Sequence, residues 1–426
     1  MNLKGKNIIV FVVLAASVAL AYQLPYMRYT FYDQMLVAYN LTNTDIGLIA
    51  STVNLINTIC YPIGGALANR FSTKTLISIT FGAFTVLSVW YAFATDFIML
   101  MIIHALFAFF GIATLWSAYL AAVRNLGDEK SQSKLFGFNE ATRGIVQALC
   151  GFVFLGLMGI AASQLLGFRY IMLFAAVVSF IFLLLTLKFM DGKKKGEAGS
   201  QNAAEAAPEK KYTIAEVLKN PGVWLVTFLV MFTYFFWTVG NSYLTAYTTQ
   251  VLELDPNVAS TLGILRSYVI VFVAGFLGGW LLDKFSYKAR SFIVLLVLAI
   301  ACTAGVMLTS AVIPLCVILT LVIAFIANIM KCTYWSTMGE AGIPTGMTAL
   351  ATGVISFIAF IPDWIYPTVF GIWIDDYTAM GNVGGAYFII FTVMIVFGIL
   401  GVITAILLWR RTKKLEAAGL VEITHR

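Results

Sequence analysis

The sequence predicts an all-α membrane protein, with twelve transmembrane helices in two pseudo-symmetric six-helix bundles. Three observations predict it. Hydrophobic residues fill 61% of the 426 positions, charged residues fill 11%, and mean hydropathy is +0.91. Soluble chains lie near half apolar and about a quarter charged, so a surplus of this size has to face lipid. The apolar residues also come in runs long enough to cross a bilayer, which takes about 20 residues per helix. Finally, one long polar stretch divides the runs into two sets of six, and a short motif recurs at equivalent places in both sets.

Lys4 and Lys6 precede an apolar run from Ile8 to Ala21 with small residues near its end, the outline of a signal peptide. The run continues past Pro25 toward Met35, and the repeat requires it as a first span, so it is expected to stay attached. The spans are predicted over 7–36, 45–68, 74–95, 97–124, 132–161 and 169–189, then 222–249, 257–282, 290–310, 313–338, 346–374 and 384–409. Thr44-Asp45, Thr95-Asp96 and Ser131 read as caps for the helices that follow them.

The resulting organisation is an N-terminal bundle over 1–190, a linker over 191–220, a C-terminal bundle over 221–412 and a tail over 413–426. The linker opens on Lys193, Lys194 and Lys195 and continues as a Gly/Ala/Glu-rich flexible piece. It ends in a short amphipathic helix, Tyr212 to Lys219, stopped by Asn220-Pro221.

Cations set the orientation. Lys4, Lys6, Arg70, Lys74, Lys130, Lys134, the linker lysines, Lys284, Lys288, Arg290, Arg410, Arg411, Lys413 and Lys414 all fall on one side. The other side holds Arg169, Glu253, Asp255, Asp375 and Asp376. By the positive-inside rule both termini and the linker are cytoplasmic, in a multi-pass inner (plasma) membrane protein. The net charge of +7 is therefore topology, with no nucleic-acid meaning. Cys60, Cys150, Cys302, Cys316 and Cys332 all lie in apolar runs without CxxC spacing, and read as free thiols packed among helices.

The repeated motif is Gly64-Gly65-Ala66-Leu67-Ala68-Asn69-Arg70-Phe71-Ser72-Thr73-Lys74 after span two, and Gly278-Gly279-Trp280-Leu281-Leu282-Asp283-Lys284-Phe285-Ser286-Tyr287-Lys288 after span eight. Parallel six-helix repeats are one plan for secondary transporters. The glycines let helices approach closely, and a carboxylate followed by basic residues can latch two helix ends. These residues resemble the signature of the major facilitator superfamily, G-x-x-x-D-R/K-x-G-R/K-K, and helix count, linker and repeat extend the resemblance over nearly the whole chain. The resemblance implies a gating role for Gly65, Asn69, Arg70, Lys74, Gly279, Asp283, Lys284 and Lys288. The first copy has Asn69 where the family has Asp, which leaves the carboxylate of the latch to Asp283. Leu135-Phe136-Gly137-Phe138-Asn139-Glu140-Ala141-Thr142-Arg143-Gly144 is similar to the branch of bacterial permeases that includes sugar-phosphate, sugar-acid and nitrate/nitrite carriers.

Ionisable residues inside spans are costly and default to functional hypotheses. Four cations lie there: Arg28, Arg143, Arg266 and Lys331. Arg143 and Arg266 fall roughly 15 Å along their helices, near the midplane. The family likeness places spans one, five, eight and ten around a central cavity and so implies a convergent site. The buried acids are Asp33, Glu140 and Asp363, with Glu140 one turn from Arg143 and able to pair with it. Cations outnumber acids, which suits an anionic solute, and arginine offers a fork for carboxylate, phosphate or nitrate.

Tyr22, Tyr26, Tyr29 and Asp33 share a face of span one by spacing, and Phe136, Glu140, Arg143 and Gln147 share one of span five. Tyr234, Trp237, Asn241 and Tyr243 lie in span seven, the repeat mate of span one. Aromatic and hydroxyl groups beside arginines fit a hydroxylated organic acid better than bare nitrate; the competing reading makes the tyrosines packing or interface residues. Asp363, between Pro362 and Pro367, marks a break in span eleven or only relieves packing. Glu140, Asp363 or Asp33 is the expected site of a driving proton, because desolvation moves a carboxyl toward neutral pH.

The expected activity is proton-coupled symport or exchange of a small organic anion by a monomer without cofactor or metal. Its rivals are an inorganic-anion carrier, a solute sensor on the same fold and a drug efflux pump, the last of which would favour an apolar cavity with few cations. An enzyme is disfavoured, since HExxH, GxSxG and P-loop motifs are missing. The histidines are His104, alone in span four and read as packed or hydrogen-bonded, and His425. A channel is disfavoured by the repeat, which suits alternating access.

Overall fold

The structure is a computed structural model that describes residues 6–124, 126, 132–190, 192, 212–282 and 284–423. Every regular element among them is helical, and twelve helices are long and apolar enough to cross a membrane: Asn7–Tyr26, Asn43–Ala68, Thr73–Ala92, Phe97–Val123, Phe138–Gly159, Gln164–Phe189, Pro221–Gln250, Pro256–Gly275, Lys288–Leu308, Ile313–Thr337, Leu350–Ala379 and Val383–Ala417. Each overlaps one predicted span. The flexible linker piece after Lys193 and the Ser131 cap lie outside the described residues.

The chain forms two compact units, each with its own core. The first takes the described residues up to 192 together with 256–264 and 366–372. In it α1 (Lys6–Gln23) packs on α7 (Gln132–Gly159), α3 (Asn43–Arg70) on α5 (Phe97–Phe109), and α4 (Thr73–Ala92) on α8 (Gln164–Phe189). α11 (Pro256–Ile264) lies on α2 (Arg28–Tyr39) and α7 in this unit, where the Gln34 amide donates to the Ser260 hydroxyl at 2.8 Å. The second unit takes the described residues from 212 to 255, then 265–365 and 373 onward. There α10 (Pro221–Gln250) packs on α14 (Ile313–Thr333) and α17 (Val383–Ala417), α12 (Ile270–Leu282) on α14, and α13 (Lys288–Leu308) on α17.

Local chemistry sets the helix ends. α3 is capped by Thr42, two residues before the expected position, and Asp45 closes the box by accepting from the Thr42 main chain at 2.9 Å. Asp96 caps α5 as its sequence predicts. The amphipathic helix is Ile214–Lys219, and Asn220 ends it while capping α10.

Span one is not continuous. Pro25 lies in a 3-10 turn, Leu24–Tyr26, between α1 and α2, and Phe31 departs from helical geometry (φ −119°, ψ 42°). A missing amide N–H and two changes of helical phase break the single face expected for Tyr22, Tyr26, Tyr29 and Asp33. Span four carries a π segment at Phe110–Trp116 and span eight another at Leu265–Val269. Span eleven breaks between α15 (Thr348–Ala359) and α16 (Pro362–Ala379), at the place its prolines indicate.

The first glycine pair of the repeat divides its labour. A Cβ on Gly64 would lie 2.7 Å from the Ile112 carbonyl oxygen in the π segment, whereas one on Gly65 would meet nothing within 4 Å. Gly64→Val is therefore expected to cost about 1–3 kcal/mol of stability by overpacking. Gly65→Ala should leave the melting temperature in detergent unchanged. Equal shifts for the two variants would refute the assignment.

Glu340 follows α14 and accepts from the Lys288 backbone N–H with both carboxylate oxygens, at 2.9 and 3.0 Å, capping α13. Burial raises its carboxyl above the ordinary range, against the opposing pull of the Lys288 and Ala289 N–H groups and the Lys288 ammonium. The folded state thus holds this proton more tightly than the unfolded one. The stability it contributes is complete below the unfolded value, near pH ~4.3, and is lost as pH rises through the folded one. Glu340→Gln should flatten that part of the melting temperature–pH curve and melt no lower than the parent at neutral pH. Glu340→Ala should lose about 1 kcal/mol with the cap.

Candidate functional site

In the N-terminal unit the aromatic residues of span one surround the arginines. Arg28 is buried beside Tyr26 and Tyr29, its guanidinium carbon 5.3 and 4.7 Å from their ring centres, and it donates to the Tyr29 hydroxyl at 3.4 Å. The two tyrosines stack at 5.2 Å, and the Asn57 amide fixes Tyr26 by donating to its hydroxyl at 2.7 Å. Despite the break in the helix, Tyr26 and Tyr29 therefore stay together. Asp33 is half-buried further along α2.

Tyr22 lies apart from that pair. Its ring meets Trp116 edge-on at 5.6 Å, and its hydroxyl donates to the Gly111 carbonyl at 3.4 Å, so it rests on the π segment of span four. Arg143 interacts with Tyr22 and Tyr119 and is ion-paired to Glu140 at 2.6 Å, the i,i+3 pair its spacing predicts. The Asn139 amide in turn donates to the Tyr119 hydroxyl. Glu140, expected to be buried, has its side chain 52% exposed against 21% for Arg143. Gln147 takes part through its main chain, whose carbonyl accepts from the Gln23 amide at 2.6 Å. The Phe136 side chain lies outside the described residues.

The C-terminal unit holds a tighter cluster. Trp237 donates its indole N–H to the Asn328 carbonyl oxygen at 2.9 Å, and the Lys331 ammonium sits 3.4 Å from the centre of its ring. Tyr234 stacks on the same indole at 5.4 Å. Asn241 donates to the Trp237 carbonyl at 2.8 Å and accepts from the Ser267 hydroxyl at 2.9 Å. Tyr243 is buried in the same helix. Asp363, just past the break in span eleven, is buried and accepts from the Thr238 hydroxyl at 3.2 Å.

Arg266 lies next to Ser267 in the π segment of span eight and is wholly buried. Its guanidinium donates to Thr245 at 2.9 Å and to Thr320 at 3.1 Å, and its Nε–H has no acceptor among the described residues. No carboxylate among them pairs with it. A guanidinium has five donors and keeps its charge at neutral pH, so two neutral hydroxyls leave both charge and donors to spare.

Sequence reasoning named Arg266 but not its neighbour Ser267, nor Thr245 and Thr320, which come from other helices with no local spacing to point to them. Asn328 was within reach, since it stands three residues before Lys331 on one helix face. Of the implied gating residues, Asp283 and the Asn69 side chain lie outside the described residues. Arg70 and Lys284 are exposed, and Lys74 is half-buried. Lys288 serves the Glu340 cap and reaches the Ser336 carbonyl at 3.5 Å. His104 is buried, bonds the Leu100 carbonyl at 2.8 Å and meets Tyr91 edge-on, as a packed histidine does. The cysteines form no disulfide among the described residues, and Cys332, expected to be packed among helices, is exposed where the others are at least partly covered.

The family model for the Major Facilitator Superfamily matches residues 7–367. Two Escherichia coli (strain K12) relatives are the Inner membrane protein YihN, 26% identical over 92% of both chains, and the Inner membrane protein YqcE, 25% identical over 86% of this chain and 87% of its own length. Among solved structures, the inward-facing, unoccupied bacterial homologue of the human lysosomal transporter Spinster has a TM-score of 0.74 at 15% identity, covering 97% of this chain and 98% of its own. A D-xylose-proton symporter has a TM-score of 0.73 at 17% identity, covering 94% and 97%.

Arg266→Met offers a direct reading of the buried charge. Thr320 also donates to the Val317 carbonyl at 2.8 Å, so its hydroxyl keeps a partner when the guanidinium is gone. A hydrophobic isostere removes the desolvation penalty without opening a large cavity. The variant is expected to melt at or above the parent temperature in the absence of solute. A fall of several degrees would mean that the arginine is a structural tie.

Proposed function

The chain belongs to the Major Facilitator Superfamily, a family of transporters and not of enzymes, and from that premise we propose that it carries a small organic anion across the inner membrane as a secondary transporter. The observation that carries this reading is Arg266: a wholly buried guanidinium held only by Thr245 and Thr320, with its Nε–H unanswered among the described residues. A carboxylate or phosphate would complete its charge and its fork. Lys331 over Trp237, and the Asn241–Ser267 pair, add a second cation, a ring platform and neutral hydrogen-bonding groups in the same unit. These groups favour a hydroxylated solute such as a sugar acid or sugar phosphate over nitrate. In the other unit Arg28 lies among tyrosines, and Arg143 with Tyr22 forms the corresponding polar group.

Two six-helix halves support alternating access. Asp363 is the favoured site for a coupling proton, since it is buried where Glu140 is half exposed and ion-paired. Both termini lie in the cytoplasm by the distribution of Lys and Arg, and the working unit is the monomer.

A thermal-shift screen of the purified protein against sugar acids, sugar phosphates, dicarboxylates and nitrate tests the solute class. A solute at 100 times its dissociation constant stabilises by about 2.7 kcal/mol, which is easily read. At least one organic anion should raise the parent's melting temperature and fail to raise that of Arg266→Ala. Shifts by neutral or cationic compounds alone would sink the anion reading. Flux of the same compound into proteoliposomes separates a carrier from a sensor.

Asp363→Asn is expected to abolish accumulation driven by a pH gradient while leaving solute exchange measurable. Unchanged accumulation would remove Asp363 from the coupling step.

A further inference from the structure

The second unit carries a groove of about 1180 Å³ that none of the candidate solute-binding residues lines. It lies where α9 (Ile214–Lys219) and the first turns of α10 meet the last turns of α17. Its floor is apolar, with Trp224, Leu225, Phe228 and Leu407. Its rim is cationic, with Lys219, Arg410, Arg411, Lys413 and Lys414, and no carboxylate among the described residues lines it.

The cations differ in how far the protein already uses them. Arg411 donates to the Ala341 carbonyl at 3.1 Å, and Lys413 covers the Trp409 ring at 4.6 Å. Lys219, Arg410 and Lys414 are exposed and have no hydrogen bond or ion pair among the described residues. Arg410 and Lys414 stand one turn apart on α17, where like charges repel. Arg410 and Arg411 stand three and four residues after Leu407, and Lys414 stands four and three residues after them, so a single stripe of the helix passes from apolar to cationic. From Leu407 to Lys414 the rise is roughly 10 Å, about the depth from upper acyl chain to phosphate. On α10 the apolar wall runs alongside: the Trp224 and Phe228 rings lie tilted to each other at 6.2 Å, and the Trp224 indole N–H is pinned to the Leu218 carbonyl at 2.8 Å.

We propose that this groove holds one anionic phospholipid. Its phosphate lies among Lys219, Arg410 and Lys414, and its acyl chains lie along Trp224, Phe228 and Leu407. Charge complementarity selects the headgroup: a phosphodiester relieves the repulsion along α17, and a zwitterionic lipid brings a quaternary or primary amine into the same cationic rim. The apolar floor selects a lipid over free phosphate. The positive-inside rule puts this end of the unit on the cytoplasmic leaflet, whose anionic lipids are the available source.

The test is native mass spectrometry of the full chain in neutral detergent, titrated with phosphatidylglycerol, phosphatidylcholine or glycerol phosphate. The parent is expected to retain one phosphatidylglycerol per chain after activation that strips phosphatidylcholine, and to show no glycerol phosphate retention that depends on Arg410 and Lys414. Arg410→Ala/Lys414→Ala should weaken retention about 30-fold, the weight of two basic residues at an anionic surface. Arg410→Lys/Lys414→Arg should restore it. The double alanine variant should keep the parent's lipid-free melting temperature and lose the rise that phosphatidylglycerol gives. Equal retention of the two lipids, or full retention of phosphatidylglycerol by the alanine variant, overturns the site. So does retention of glycerol phosphate that is as tight as that of the lipid and is lost in Arg410→Ala/Lys414→Ala.

Discussion

A chain dissolved in hydrocarbon must satisfy its own main chain, and that single constraint governs where this protein can be irregular. Lipid offers no partner for a stray N–H or C=O, so a spanning segment is a helix wherever it faces lipid, and departures survive only where protein groups answer them. The described residues depart from α-helix inside spans at Leu24–Tyr26, Phe31, Phe110–Trp116, Leu265–Val269, Tyr334–Thr337 and the break before Pro362. Three of these departures adjoin a polar cluster. Tyr22 donates to Gly111 in one π segment, Arg266 is part of the other, and Asp363 follows the break. Local widening of a helix costs stability and persists where a function holds it in place. The irregular backbone and the candidate site are thus two views of one arrangement.

The four spanning cations are compensated in different ways. Arg143 has a full carboxylate one turn away. Arg28 and Lys331 face aromatic rings, whose attraction is about 2 kcal/mol when desolvated. Arg266 has two threonines. A hydrogen bond to a charged group contributes roughly 1.5–3 kcal/mol net, while taking an ion out of water costs several kcal/mol even after relaxation. Two such bonds barely offset that cost, and the unanswered Nε–H adds to it. Arg143 is therefore largely neutralised by its own helix, whereas the charge of Arg266 meets only neutral hydroxyls among the described residues.

How much of this was legible in the sequence depends on the range of each interaction. Hydropathy and spacing act within one helix, so the twelve spans, the Glu140–Arg143 pair and the Asp96 cap could all be read directly, while the break at Pro362 was one of two readings its prolines allowed. The cap of α3 was misplaced by two residues because Thr42 and Thr44 are equally good acceptors, and only the turn geometry chooses between them. The common face drawn through Tyr22, Tyr26, Tyr29 and Asp33 assumed an unbroken helix, which Pro25 and Phe31 do not allow. Arg266 could be flagged as a charge in a span, but its partners stand 21 and 54 residues away, and no periodicity encodes that meeting. The exposure of Glu140 was equally hidden, since helix spacing fixes a residue's neighbours along the helix and not the side on which it is covered.

The surroundings of Trp237 bear on what kind of anion the second unit suits. Its indole is held from two sides, by Asn328 at the N–H and by Lys331 over the ring, so it offers a fixed flat surface. Asn241 and Ser267 satisfy each other at 2.9 Å, and each has hydrogen-bonding capacity left for a third group. A bare inorganic anion would use the cations and leave the ring, the amide and the hydroxyl idle. A solute with a sugar-like frame would use all of them, its apolar ring face on the indole, its hydroxyls at Asn241 and Ser267, its charge at Arg266. Buried polar groups that only such a solute can answer also penalise every solute that cannot, because an unmatched buried donor or acceptor costs more than a matched one gains. For the proposed organic anion, discrimination would thus rest on the neutral groups around the arginine as much as on the arginine itself.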